Sequence, residues 1–212
     1  MSDQSPLIVS ISGIRGLVGK SLTDEVVARF AAAFGTTLTQ GDTVILARDT
    51  RPSGEGFAKV AAAALSGTGC HVVDLGKCST PGAKLMVTEL NAQGAIVITA
   101  SHNPAPWNGL KLIRADGIFL NAAEGERVEA LFHSGEFRRT TTGTIETLDP
   151  DEVKTRHLEQ ILAHIDADAI RQARFKVAVD PCNGAGALLL PDLLAALNVE
   201  STLINAEPDG DF

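Results

Sequence analysis

The chain has 212 residues with 44% apolar and 21% charged side chains, 20 Gly and 9 Pro, the proportions of an ordinary soluble globular protein. That length fits one full domain plus part of a second. The formal net charge of −8 argues against nucleic acid or an anionic membrane as partner, and leaves room for a small anionic substrate held by a local group of cations.

Leu7 to Ile11 is a short apolar run expected as a strand, breaking into a glycine-rich turn from Gly13 to Gly19. A helix follows from about Thr23, with Val26, Phe30, Phe34 and Leu38 along one face and Asp24 and Glu25 at the positive end of its dipole. Thr43 to Ala47 reads as the next strand. The helix after it carries Phe57, Val60, Ala61, Ala64 and Leu65 on one side, and Cys70 to Leu75 reads as a further strand. Thr80-Pro81 reads as an N-cap followed by proline at the first helical position, opening a helix with Leu85 and Leu90. Ala95 to Thr99 is a β-branched run, expected as a buried strand. Leu110 to Ile113 and Ile118 to Leu120 read as a hairpin around Asp116-Gly117, with a helix near Glu124 to His133. Apolar rather than alternating strands, interleaved with helices, point to an α/β fold with a mixed, mostly parallel sheet sandwiched by helices.

Arg138 to Thr144 is polar and threonine-rich and is the best candidate linker. Asp151 to Ile165 reads as an amphipathic helix, Phe175 to Val179 as a strand, Asn183 to Gly186 as a turn, Ala187 to Leu197 as a helix and Ser201 to Ile204 as a strand. The expected division is residues 1–150 and residues 151–212, the latter an incomplete second domain of similar architecture. So small a second piece buries too little surface to be comfortable alone, so the chain reads as part of a longer protein.

No apolar run approaches the roughly 18 residues of a membrane span. Met1-Ser2-Asp3-Gln4 lacks the basic start of a signal peptide. Cys70, Cys78 and Cys182 are odd in number and lack metal spacing, which fits reduced thiols in the cytoplasm. With no Tyr and one Trp, an aromatic surface for stacking bases or glycans is not expected.

Two glycine motifs fail on inspection. Gly19-Lys20-Ser21 would need glycine at 14 to make a P-loop, and Ile14 stands there. Gly184-Ala185-Gly186 would need a small residue at 189 to make a dinucleotide fingerprint, and Leu189 stands there. A nucleotide-binding enzyme therefore rests on broken patterns alone.

Thr99-Ala100-Ser101-His102-Asn103-Pro104 is different. It leaves the end of the best strand, where α/β folds place their sites. A hydroxyl nucleophile needs a base and a cation, and His102 and Lys111 could supply them. A plain polar turn explains the triplet taken alone. Arg15, expected in the turn after the first strand, opens on the same sheet edge and suits a phosphate. Arg48 and Arg51, with Asp49 between them, read as an ion-pair corner that fixes their loop rather than as substrate contacts.

Taken in order, Ser12-Gly13-Ile14-Arg15-Gly16, Ala47 to Arg51, Thr80-Pro81, Thr99 to Pro104, Asn108-Gly109-Leu110-Lys111 and Val179 to Gly186 resemble the α-D-phosphohexomutase family. That family includes phosphoglucomutases, phosphomannomutases and phosphoglucosamine mutases. The resemblance implies four domains, of which this chain holds the first and part of the second. It implies a phosphoryl group on Ser101 that also ligates Mg²⁺, with His102, Lys111 and Arg15 at the reacting centre and Asn103 and Asn108 binding substrate. The implied reaction moves phosphate between the 1- and 6-positions of a hexose phosphate by way of a hexose 1,6-bisphosphate. Either His102 or Lys111 could take the sugar proton. Ala100 favours phosphoglucosamine mutase over phosphomannomutase or phosphoglucomutase.

The family's metal loop, Asp-Gly-Asp-x-Asp-Arg, is not complete here. Pro208-Asp209-Gly210-Asp211-Phe212 reads as an earlier segment, so the remaining Mg²⁺ ligands are expected past residue 212, and the chain by itself is expected to be inactive. The rival is a non-catalytic sugar-phosphate-binding or regulatory module of the same fold.

Overall fold

A computed structural model of the protein describes residues 6–211. The readings that fall on Met1 to Gln4 and on Phe212 lie outside the described residues.

The strands of the main sheet are β1 (Ile8–Ser10), β2 (Gly13–Leu17), β3 (Thr43–Arg48), β4 (His71–Lys77), β5 (Gly94–Ile98), β6 (Trp107–Arg114) and β7 (Thr144–Thr147). Their order across the sheet is β1-β2-β6-β5-β3-β4-β7. β3 pairs in parallel with both β4 and β5, and β4 with β7, whereas β6 is antiparallel to β5 and β2, and β1 to β2. Among the described residues, β2, β3, β4, β5 and β7 therefore run one way and β1 and β6 the other, a mixed, mostly parallel sheet.

Helices cover both faces. Alternate residues of one strand divide between two cores, as a pleated strand buried on both sides requires. Val44, Leu46, Ile96, Ile98 and Leu110 pack with Phe30, Phe34, Phe57, Leu65 and Val128 from α1 (Asp24–Thr37), α2 (Gly54–Gly67) and α4 (Ala122–Ser134). Ile45, Ala47, Ala95, Val97 and Ile113 pack with Ala83, Met86 and Val87 of α3 (Thr80–Glu89) and Val153 of α5 (Pro150–Ala163). α1 starts where expected, and Thr23 caps it, its hydroxyl accepting from Val26 N. The cap of α3 is Ser79, one residue before the expected Thr80, with its hydroxyl accepting from Gly82 N at 3.1 Å.

Three expectations change. The glycine-rich segment after β1 is a strand rather than a turn, with Arg15 opposite Gly109. Its glycines permit close approach: a Cβ on Gly13 would collide with Leu110 O, and one on Gly109 with Ile14 O. The second arm of the expected hairpin shrinks to a single bridge, Ile113 to Phe119. The threonine-rich stretch is no free linker. Arg138 donates to the carbonyls of Gly35, Leu38 and Thr68, Thr140 N donates to Gly67 O, and β7 then joins the sheet.

Beyond α5 come α6 (Ala167–Ala173), which was not anticipated, β8 (Lys176–Val179), a 3-10 turn (Ala185–Leu188), α7 (Leu190–Ala196) and β9 (Glu200–Leu203). β8 and β9 form a separate parallel two-stranded sheet, the expected second βαβ unit. Among the described residues, no helix is long and apolar enough to cross a membrane.

Candidate active site

β5 is buried along its whole length and delivers the chain to Thr99, whose N–H donates to Gly109 O at 2.9 Å. The strand pairing thus continues to the edge of the serine turn. Ser101 follows with φ 58, in the left-handed region. A non-glycine residue is held there only where its surroundings over-determine it, and such positions gather at functional sites. Part of the restraint is local, since Ser101 N donates to the buried Thr99 hydroxyl at 3.0 Å. Asn103 N closes the turn on Ala100 O at 3.1 Å. The result is an exposed Ser101 with Oγ 3.4 Å from His102 Nδ1.

The rest of the restraint comes from Arg51. Its side chain is only 1% exposed, and the guanidinium donates to the carbonyls of Ser101 (3.1 Å), Asn103 (2.7 Å), Pro104 (3.1 Å) and Trp107 (2.9 Å). Nε donates to Asp49 Oδ2 at 3.2 Å, and Asp49 Oδ1 accepts from Arg51 N at 3.0 Å. A planar fork with five donors suits a ring of inward carbonyls, and a lysine does not. The Asp49–Arg51 corner expected from sequence is present, and the loop it fixes is the serine turn. That target was invisible in sequence, because the carbonyl partners lie some 50 residues away. Arg48 turns instead to Glu55, at 3.9 Å.

Arg15 reaches the same turn from β2. Nη1 donates to Asn103 Oδ1 at 3.2 Å and Nη2 to Ser12 Oγ at 3.3 Å. Lys111, opposite Val97 on β6, is half-buried, with Nζ 5.1 Å from the centre of the Phe119 ring. Burial holds the Lys111 ammonium below its ordinary range, helped by the positive charges of Arg15 and then Lys84. Neither Arg15 nor Lys111 has a carboxylate partner among the described residues, so both can face an incoming anion.

Asn108, expected to bind substrate, is fully buried. Its Nδ2 donates to Ser53 Oγ at 2.9 Å and its Oδ1 accepts from Gly109 N at 2.8 Å. Burial and this use of both amide ends make it a brace between the start of α2 and β6. The structure brings together Ser101, His102, Asn103 and Arg15, places Lys111 within the electrostatic reach of Arg15, and buries Asn108.

No group of three or more His, Cys, Asp or Glu side chains among the described residues could hold a metal ion. The three cysteines are free; burial pushes the Cys78 thiol up to about 12.

Two family models match the chain in succession. Residues 7–139 match the family described as phosphoglucomutase/phosphomannomutase, alpha/beta/alpha domain I, and residues 155–212 match domain II of the same family. A phosphoglucomutase/phosphomannomutase of Thermococcus kodakarensis is 38% identical over 204 residues, covering 94% of this chain and 45% of that protein. A phosphoglucosamine/phosphogalactosamine mutase of Sulfurisphaera tokodaii is 35% identical over 202 residues, covering 94% of this chain and 44% of that protein. The chain spans less than half the length of these relatives. A crystal structure of a phosphoglucomutase/phosphomannomutase family protein from Burkholderia thailandensis superposes with a TM-score of 0.81 at 28% identity, covering 96% of this chain and 46% of that one.

Proposed function

The chain belongs to the α-D-phosphohexomutase family, and on that premise we propose that it is the phosphoserine-bearing part of an enzyme that moves phosphate between two hydroxyls of a hexose. One observation carries the reading. Ser101 sits exposed in a left-handed turn clamped by a buried guanidinium, with Arg15 bonded to the same turn and Lys111 in the field of Arg15.

Phosphoryl transfer depends on in-line positioning and on neutralising the moving charge. In the first half-reaction a sugar hydroxyl oxygen attacks phosphorus, the bond from phosphorus to Ser101 Oγ breaks, and the hydroxyl proton passes to His102 or Lys111. The product is a hexose bisphosphate. In the second half-reaction Ser101 Oγ takes the phosphoryl group from the other position, and the proton returns to the sugar oxygen that leaves. Arg15 and Lys111 oppose the charge on the transferring group, and Asn103, held by Arg15, presents its amide beside it. Mg²⁺, when bound to the Ser101 phosphate, would supply further neutralisation.

Among hexose phosphates we favour glucosamine phosphate, on Ala100 and on the aminosugar mutases among the relatives. Residues 1–212 by themselves are read as inactive. The three free cysteines fit a reducing compartment.

The test is to incubate the full-length protein with a hexose 1,6-bisphosphate and Mg²⁺ and to map phosphopeptides by mass spectrometry. Phosphate on Ser101, lost together with turnover in Ser101→Ala, is the expected result. An unmodified Ser101 in a protein that still binds hexose phosphate would establish the binding-module reading instead.

A further inference from the structure

We propose that Thr50 is a positioning residue for the serine turn, linking the second βαβ unit to Ser101 through its neighbour Arg51. The proposal rests on the mutase reading only for its catalytic consequence.

The turn at 49–51 is gripped from two sides. Thr50 is 2% exposed, and its hydroxyl donates to Asn183 O at 3.0 Å. Asn183 belongs to the turn after β8 and stands in the left-handed region at φ 50. Its carbonyl also accepts from Gly210 N at 3.1 Å, its N–H donates to Asn205 O at 2.6 Å, and its side chain donates to Asp211 O at 2.9 Å. Asn183 thus ties the turn after β8 to the 205–211 segment at three points.

Gly210 closes over Thr50 from above. It is buried at φ 80, and a Cβ there would collide with Thr50 O. Lys77, at the end of β4, adds a bond from Nζ to Pro208 O at 2.7 Å. The next residue after Thr50 is Arg51, whose donors hold the carbonyls of Ser101 and Asn103.

A single planar peptide therefore separates the grip on the second unit from the clamp on the nucleophile's turn. Arg51 is enclosed in packed surroundings, which shift between discrete arrangements rather than deform smoothly. A displacement of the 205–211 segment moves Thr50, and Arg51 passes that movement to Ser101. No residue of the second unit needs to touch substrate for its placement to set the aim of Ser101 Oγ.

Thr50→Val keeps the shape and removes the donor. Thr50→Ser keeps the donor. Gly210→Ala removes no side chain, but its Cβ collides with Thr50 O and wedges the contact apart. In the full-length protein, hydrogen exchange of the amides at 99–104 and the split between kcat and KM are measured for each. The hydrogen bond lost in Thr50→Val and the contact wedged apart in Gly210→Ala both predict roughly five- to tenfold faster exchange at 99–104. They also predict kcat lowered by a similar factor with KM nearly unchanged, and restoration of both in Thr50→Ser. Faster exchange confined to 205–211, with 99–104 and kcat untouched, would show a merely structural joint and overturn the proposal. Unchanged exchange in both segments would overturn it too. If Ser101 proves not to carry phosphate, the mutase reading fails, while exchange at 99–104 still decides the linkage.

Discussion

Arg51 Nη2 donates to the Ser101 carbonyl at 3.1 Å, so the exposed serine is held through its backbone by a buried cation from another strand end. The side chain of Ser101 stays free because its main chain is not. A carbonyl clamp restrains the turn without occupying the hydroxyl, which leaves that hydroxyl open for the esterification proposed above.

Arg51→Met removes the guanidinium and leaves Asp49 and the turn carbonyls without their donor. Stranding one partner of a buried ion pair costs about 3–5 kcal/mol. Arg51→Lys should recover only part of this, because an ammonium cannot fork toward several carbonyls at once. Urea unfolding midpoints check the ranking, and a Met variant as stable as the parent would contradict it.

Lys111 has its ammonium disfavoured by burial first, then by Arg15, then by Lys84. A lysine so depressed is destabilising below its folded-state pKa. That penalty fades as pH rises from the folded value toward the ordinary 10.5, because the unfolded chain binds the proton more readily. Lys84→Met removes one of the opposing charges, so the Lys111 titration followed by NMR should move to higher pH, and Arg15→Met should move it further. If Lys111 accepts the sugar proton, the acid limb of the kcat–pH profile shifts upward with it in Lys84→Met. If His102 accepts the proton, the limb stays where it was while the Lys111 titration still moves.

Asn108→Ala separates a brace from a substrate contact. The brace predicts a loss of about 1–3 kcal/mol, from an unpaired Gly109 N–H and a freed Ser53, with KM nearly unchanged. A raised KM at unchanged stability would restore the direct role expected from sequence.

The parts of the molecule legible in advance are those whose cause is local. β3 and β5 announce themselves as apolar runs because both faces of each are buried. α1 declares its start through Thr23 and its core face through Phe30 and Phe34. Misreadings fall where a residue answers to a distant partner. Glycine signals a turn by its backbone freedom, yet Gly13 and Gly109 are glycine so that β2 and β6 can approach, and this turned an expected loop into the strand that carries Arg15.

The amino-acid sequence by itself determined the α/β alternation, the serine motif at a strand end and the presence of Arg15, His102 and Lys111 in an acidic chain. Only the tertiary structure decided that Arg51 and Asn108 would be buried, that Arg138 and Thr140 would tie to the ends of α1 and α2, and that residues 144–147 would join the sheet. Period and capping are written within a few neighbouring residues. The partners of a buried guanidinium or amide are brought from 50 or more positions away by sheet pairing, and burial is a property of that assembly.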